Sequence, residues 1–309
     1  MAPRCSLLVL TYNQERFVAD AVRAALAQEG PPVEIIISDD GSVDDTFAVA
    51  EACVAGYDGP HEVNLNRNAT NMGAITHTNH VVGMARGDIL IPAYGDDIAF
   101  ADRALRIAQA FEAHDPLLVH SHAVPIDGDG CETTSAYGNA AFFRTTYPLE
   151  VATSLFHYLG ASGAWARALF DRYGPIDSPL VYDDHILGFR AALEGRVQLI
   201  DAPLLYYREG VGISHLAGAG KDRTVNRQRR QKILRQSQAV FAARLTDARR
   251  FGLGEDHPVV TRLQQAERRA GQRLSYYEGG AALRAGIARH PLGALGALAG
   301  EALRDIRKR

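Results

Sequence analysis

The sequence predicts an α/β protein: a mostly parallel, Rossmann-like sheet with helices on both faces, followed by a C-terminal helical extension. Three observations predict it. Apolar runs of strand length alternate with segments of helical periodicity from Arg4 to about residue 215, the pattern of a doubly wound sheet. Several of those runs stop abruptly at polar residues, Thr11, Asp39 and Asp96, as strands do where they open into a crevice at their C-terminal ends. Beyond His215 the texture changes, and from Lys221 onward the chain is Arg-rich and helically periodic.

The elements follow in order. Arg4–Leu10 is an apolar run that ends at Thr11-Tyr12-Asn13, a first buried strand. Phe17, Val18, Ala21, Val22, Ala25 and Leu26 then recur at helical spacing, and the helix ends before Gly30-Pro31-Pro32. Val33–Ile37 is the second strand, running into Ser38-Asp39-Asp40-Gly41-Ser42, and Ser42 with Asp45 fits a capping box for the next helix. Glu62–Leu65 is the third strand. Asn71 is placed to cap a helix through Met84.

Ile89–Ala93 is a short apolar run that delivers two adjacent carboxylates, Asp96 and Asp97. A helix starts near Asp102, with Leu105, Ala108 and Phe111 facing inward, and Leu117–Val124 is a further strand. Residues 127–150 are less regular and read as a loop or hairpin insert. Gly160–Trp165 precedes a helical stretch, Leu169–Tyr173; Asp183-Asp184 opens another helix, and Val197–Ile200 and Leu204–Tyr207 are short strands.

Composition limits the class. With 309 residues, 47% of them hydrophobic, the chain can bury a large core. Its three cysteines are too few and scattered for a disulfide framework or a zinc site, which suits a reducing cytoplasm. The N-terminus lacks the basic and long apolar regions of a signal peptide, and no run is long enough to span a bilayer. The formal charge of −3 hides an asymmetry. Residues 216–309 carry 20 Lys and Arg against 8 Asp and Glu, whereas residues 1–215 carry 13 against 28. A basic extension on an acidic body points to an anionic surface, such as phospholipid, or to the protein's own acidic face.

Two carboxylates at a strand end suggest a hard divalent ion, because Mg²⁺ or Mn²⁺ needs few protein ligands when water and phosphate oxygens complete its shell. The plain alternative is that Asp96 and Asp97 are loop residues ahead of a helix. Asp39 and Asp40 likewise have a turn-forming reading, and Asp183 and Asp184 a helix N-terminal one.

The ordered series LLVLTYNQERFVADAV, IIISDDGSVDDT, NMGAITHTNHVVGMARGDILIPAYGDD and YDDHILGFRAALEG with LLYYR resembles the inverting family 2 glycosyltransferases of GT-A fold. It covers roughly residues 4–215, so that 1–215 is expected to be a catalytic domain and 216–309 a basic helical extension. The resemblance implies a nucleotide-sugar donor, with a UDP-sugar as the default, held by Thr11, Tyr12, Asn13, Asp39, Asn71, Arg86 and Asp96, with Asn79 supporting them. Thr11 would approach the base, and Asp39 would accept from its imide N–H, which suits an acceptor-only carboxylate.

The same resemblance implies a metal, Mg²⁺ or Mn²⁺, on Asp96 with Asp97 as helper and His215 as a further ligand. Tyr94 stands where the family pattern has its first Asp. Asp184 is implied as catalytic base, with Asp183 in place of the usual Glu before it. Ser162, Gly163, Trp165 and Asp183 are assigned to the acceptor side and Arg208 to the diphosphate.

The expected acceptor is a glycan or lipid-linked hydroxyl in cell-surface polysaccharide or glycolipid synthesis. Two other classes compete: a sugar-phosphate nucleotidyltransferase, for which LTYNQERF lacks a glycine-rich triphosphate loop, and a non-catalytic sugar-nucleotide-binding scaffold of the same fold. Leu292, Leu295, Ala299, Leu303 and Ile306 share a helical face, giving an amphipathic helix that either lies on the inner face of the plasma membrane or packs on the catalytic domain or a second subunit. The expected localisation is cytoplasmic or peripheral at that face, with no nucleic-acid partner.

Overall fold

A computed structural model describes residues 4–134, 147–212, 223–280, 283–284 and 291–307. It divides into two compact units, residues 1–147 with 156–215, and residues 148–155 with 216–309. The short segment 148–155 therefore belongs with the C-terminal helices, although the sequence reading groups it with the catalytic domain.

In the first unit, strands β1 (Cys5–Thr11), β2 (Glu34–Asp39), β3 (Glu62–Arg67), β4 (Ile89–Tyr94), β5 (Ile98–Ala99), β6 (Leu118–Ile126), β7 (Ala164–Ala166) and β8 (Val197–Arg208) form one sheet. Its order is β3-β2-β1-β4-β7-β6-β8-β5. β1 pairs in parallel with β2 and β4, and β2 with β3. The chain winds outward from β1 to β3 and then returns to β4 on the other side of β1, so the β1/β4 boundary is a topological switch point with a crevice outside its C-terminal ends.

β1 heads the core because all seven of its residues are buried, each large aliphatic side chain being worth about 1.5–3 kcal/mol when taken out of water. Leu7, Val9, Ile35, Ile37, Ile89 and Ile91 point to one face. There they meet Val18, Val22 and Ala25 of helix α1 (Val18–Leu26), Ala50 of α2 (Thr46–Val54) and Ala104, Ile107 and Phe111 of α4 (Arg103–His114). Helix α3 (Ala74–Met84) buries Ile75, Val81 and Val82 and packs on β1. In α4, Phe111 is buried and Ala108 packs against the core as expected, Ala104 and Ile107 are buried beside them, and Leu105 is only partly covered.

Three other local readings change. The Ser42–Asp45 capping box does not form, because the Ser42 hydroxyl donates to Asp39; Asp44 Oδ1 instead accepts from Thr46 N–H at 3.1 Å. β7 is antiparallel to both β4 and β6, and at three residues it is too short to show alternation in sequence. Val197–Ile200 and Leu204–Tyr207 belong to the single strand β8. Its ladder with β6 shifts register around the His122–Pro203 pair, where proline offers no N–H.

The second unit consists of a short helix α5 (Pro148–Val151) and the long helices α8 (Arg223–Phe251), α9 (Pro258–Glu278) and α10 (Pro291–Arg307). α9 starts at Pro258 with His257 as its cap, whose ring accepts from Val259 N–H at 3.2 Å. No helix among the described residues is long and apolar enough to cross a membrane.

Candidate active site

The crevice is built from strand ends. Thr11, the last residue of β1, is buried, and its hydroxyl lies 3.3 Å from Asp39 Oδ1 at the end of β2. Asp39 is 1% exposed. Its carboxylate organises the loop that follows, accepting from Ser42 N–H at 2.9 Å and from the Ser42 hydroxyl, with Arg67 Nε 3.7 Å from Oδ2. Ser42 in turn accepts from Asn13 N–H at 2.8 Å, and the Asn13 side chain accepts from Val43 N–H at 3.1 Å. Asn13 holds φ at 51°, a left-handed conformation that asparagine tolerates. The turn leaves Tyr12 39% exposed at the mouth of the crevice.

Asp40 has the turn-forming role. It is buried and accepts from Asn68 Nδ2 at 2.8 Å, Met72 N–H at 2.9 Å and Gly73 N–H at 3.0 Å. Asn71 is exposed and accepts from Gly73 N–H at 2.7 Å. Gly73, not Asn71, is the residue that caps α3.

β4 delivers Tyr94, Gly95, Asp96 and Asp97. Gly95 passes so close to β1 that a Cβ there would lie 2.5 Å from Gln14 Oε1 and 2.8 Å from Thr11 Cγ2. Burial raises the Asp96 carboxyl above the usual range, against opposing contributions from the Gln14 hydrogen bond and the Arg208 charge. Gly212, at φ +75°, passes so close to Asp96 that an added Cβ would stand 2.4 Å from its Oδ2.

Asp97 is buried, and its Oδ1 accepts from Arg208 N–H at 2.9 Å. Burial and the neighbouring Asp96 charge push its carboxyl well up. Asp97, expected as the metal helper, thus links the β4 end to β8.

Arg208, assigned to the diphosphate, is placed behind the Asp96 backbone. Its guanidinium is 3% exposed: Nε donates to Asp96 O at 3.0 Å, Nη1 to Asp127 O at 3.0 Å and Gly128 O at 3.3 Å, and Nη2 to Asp20 Oδ2 at 3.5 Å. The guanidinium carbon also lies 4.8 Å from the Phe17 ring centroid. Arg208 therefore holds the Asp96 backbone, with four of its five N–H donors engaged.

Tyr94 joins the two halves of the site. Its hydroxyl donates to Asp183 Oδ2 at 2.6 Å, so the side chain tethers β4 to the start of α7 (Asp183–Leu193), the helix after the short α6 (Ala168–Tyr173). Burial, with the Asp183 charge beside it, holds the Tyr94 phenol protonated far above its ordinary range. Asp183 is raised to about 6, first by burial and then by the Asp184 charge.

Asp183 is buried, and its Oδ1 accepts from Asp184 N–H at 2.7 Å. Asp184 is the more open of the pair, with its side chain 20% exposed. It lies against Gly160, where an added Cβ would meet Asp184 Cβ at 3.4 Å.

The rest of the assigned acceptor group is structural. Trp165 is fully buried and donates from Nε1 to Tyr158 Oη at 3.1 Å. Ser162 is 1% exposed and donates to Leu159 O at 2.8 Å. Gly163 is required by close packing, since a Cβ would stand 2.6 Å from the Tyr158 ring. A buried cation, Arg103, holds this turn through Ala161 O at 2.7 Å and Gly163 O at 3.2 Å. These contacts hold Gly160 in place against Asp184.

Two donor assignments fall away from the crevice. Arg86 precedes β4 and pairs with Glu34 at 2.8 Å and with Glu62. It therefore lies at the strands' N-terminal edge, about 20 Å of strand away from Asp96. Asn79 donates to Ile176 O at 2.9 Å and accepts from Ile176 N–H at 3.0 Å, which spends its amide on the backbone. His215 lies outside the described residues.

Sequence reasoning missed Gln14, Ser42, Arg67 and Gly212 as parts of the site. Only their positions just after strand ends could have flagged them.

No group of three metal-ligating side chains occurs among the described residues. Asp96 nevertheless suits a hard cation, because Mg²⁺ or Mn²⁺ needs only one or two protein carboxylates when water and phosphate oxygens complete its shell.

The model of the glycosyl transferase family 2 matches residues 6–174, more than half of the chain. The chain belongs to glycosyl transferase family 2. It is 31% identical over 112 residues to the putative glycosyltransferase EpsE of Bacillus subtilis, a match covering 36% of this chain and 40% of that protein. It is 26% identical over 186 residues to the succinoglycan biosynthesis protein ExoO of Rhizobium meliloti, covering 59% of this chain and 51% of that one. The chain thus spans about half or less of these two relatives.

Among solved structures, S. aureus TarS in complex with UDP-GlcNAc superposes with a TM-score of 0.60 at 15% identity, over 97% of this chain and 92% of that one. The mannosyltransferase PcManGT from Pyrobaculum calidifontis, in complex with GDP-Man and Mn²⁺, gives 0.58 at 16% identity, over 99% and 81%. At these identities the likeness establishes the fold, and the fold is GT-A.

Proposed function

We propose that this protein is an inverting glycosyltransferase that moves a sugar from a nucleoside-diphosphate sugar to an acceptor hydroxyl in the synthesis of cell-surface polysaccharide or glycolipid. The observation that carries this reading is the Tyr94–Asp183 hydrogen bond of 2.6 Å, which ties the strand end bearing Asp96 to the helix start bearing Asp184. The nucleotide lies over Thr11, Tyr12 and Asn13. Its base imide takes the place of Arg67 on Asp39 Oδ2, since that guanidinium is half exposed and only 3.7 Å away.

A divalent cation, Mg²⁺ or Mn²⁺, would be held by Asp96 together with the donor's diphosphate oxygens and, when bound, neutralises charge building on the leaving group. Asp184 takes the proton of the acceptor hydroxyl as its oxygen bonds to the anomeric carbon. The bond from that carbon to the diphosphate oxygen breaks and its electron pair leaves with the nucleoside diphosphate. A single displacement of this kind inverts the anomeric centre. Asp183, held by Tyr94, positions Asp184.

A screen of thermal stabilisation and donor hydrolysis across UDP-, GDP- and dTDP-sugars with Mn²⁺ tests the donor class, with UDP-sugars expected. Asp184→Ala is expected to lower transfer by about 10²–10⁴-fold while leaving donor binding intact. Asp96→Ala is expected to abolish Mn²⁺-dependent donor binding. Full transfer activity in either variant removes the role assigned to that residue. The likeness to the succinoglycan biosynthesis protein ExoO supports the polysaccharide setting.

The terminal helix supports peripheral contact with the inner leaflet, as Leu303 is 56% exposed. A chain lacking residues 281–309 that floats with anionic liposomes as well as the full chain would remove that contact.

A further inference from the structure

The helical unit contains a cavity of about 880 Å³ that plays no part in the site described above. It is lined by one face of α8, where Arg230, Leu234, Ser237 and Phe241 recur at helical spacing, and by one face of α9, where Arg262, Arg269 and Arg273 do the same. Leu234, Phe241 and Ala270 are buried and form an apolar floor, whereas Arg262, Arg269 and Arg273 are exposed above it. Asp256 is the acidic side chain in the lining.

Arg230 is neutralised within the unit by Glu301, which accepts from its Nε at 3.0 Å and also pairs with Arg273 Nε at 3.8 Å. Arg262 Nε donates to the neutral Thr153 hydroxyl at 3.3 Å. The cavity thus holds more cationic than anionic side chains, with exposed arginines along one wall above an apolar base.

We propose that this cavity binds the head of a phosphate-bearing lipid, with Arg269 and Arg273, one helical turn apart, on the phosphate oxygens and the start of an alkyl chain on Leu234, Phe241 and Ala270. Guanidinium forks match the several oxygens of a phosphate. The volume lies within the ~300–1,000 Å³ range of sites for drug-sized molecules, so inorganic phosphate alone would leave the apolar floor wet. A nucleic-acid strand is a poorer fit: it needs exposed aromatic faces for stacking, and the one aromatic ring in the lining, Phe241, is buried. The inference stands apart from the donor-site reading, because none of its residues belongs to that site.

Calorimetry on the full chain tests it, using dihexanoyl phosphatidic acid below its micellar concentration, with inorganic phosphate and dihexanoyl phosphatidylcholine as comparison probes. Phosphatidic acid is expected to bind at least tenfold more tightly than either. Arg269→Gln with Arg273→Gln is expected to weaken that binding at least tenfold. Arg250→Gln with Arg268→Gln, which removes the same charge outside the cavity, should change it less than twofold.

Ala266→Trp fills the cavity and keeps every charge, and it should also weaken binding tenfold; circular dichroism of each variant reports that the helices persist. Equal affinity for inorganic phosphate, equal loss in the two charge pairs, or full binding by the Trp variant would each overturn the proposal. Asp96→Ala should leave the lipid affinity unchanged, which separates failure here from failure of the donor site.

Discussion

Replacing Tyr94 by Phe removes one hydroxyl and nothing else, and the structure fixes what that hydroxyl does. It donates to Asp183 Oδ2 at 2.6 Å in a buried setting. A hydrogen bond to a charged acceptor contributes about 1.5–3 kcal/mol and one to a neutral acceptor about 0.5–1.5 kcal/mol. Asp183 titrates near 6 in the folded protein, so the loss should depend on pH. At pH 5 the carboxyl is mostly protonated, and Tyr94→Phe should cost about 1 kcal/mol. At pH 8 the carboxylate is left buried beside Asp184, and the cost should rise to about 2–3 kcal/mol.

Urea unfolding can be followed by the single tryptophan. Trp165 is fully buried in the turn that supports Gly160, so its fluorescence reports on the catalytic unit. Transfer should fall further than donor affinity, because the bond positions Asp184 and does not touch the nucleotide. An equal cost at pH 5 and pH 8, or none at either, would refute the reasoning.

Other substitutions test the remaining contacts. Asp183→Asn bears on the same carboxyl: its folded pKa is raised to about 6 from 3.8, so the folded state binds the extra proton, and wild-type stability should decline as pH climbs from about 4 through 6. The Asn variant should lose that decline, and parallel pH–stability curves would contradict it. Gly212→Ala places a methyl 2.4 Å from Asp96 Oδ2 at φ +75°. It should cost about 1 kcal/mol of stability, measured by urea melts, but most of the Mn²⁺-dependent donor affinity, measured by calorimetry. Arg208→Gln removes a buried clamp with four hydrogen-bond acceptors; at roughly 1 kcal/mol each, less what Gln recovers, a loss of about 3 kcal/mol is expected in denaturant melts. Chelation with EDTA should abolish transfer, and Mn²⁺ or Mg²⁺ should restore it.

The sequence by itself determined the order of the longer strands β1 to β4 and β6 and the helices between them, because burial on both faces writes continuous apolar runs such as Cys5–Thr11 and Ile89–Tyr94. It also determined the residues at the strand ends, since a run that stops at Thr11, Asp39 or Asp96 marks its own C-terminal edge. What a side chain does there is settled by neighbours far away in the chain, and only the tertiary structure decided it.

Asp96 and Asp97 are adjacent and chemically identical, yet β8 passes behind one of them and takes its Oδ1 with the Arg208 N–H. The resemblance assigns both Arg208 and Arg86 to the donor, but the first is wrapped by three carbonyls and the second sits with Glu34 and Glu62 at the opposite end of the sheet. Tyr94 looked like a missing carboxylate. The fold brings Asp183, 89 positions later, within 2.6 Å of its hydroxyl, and no local pattern encodes a contact made across that length of chain.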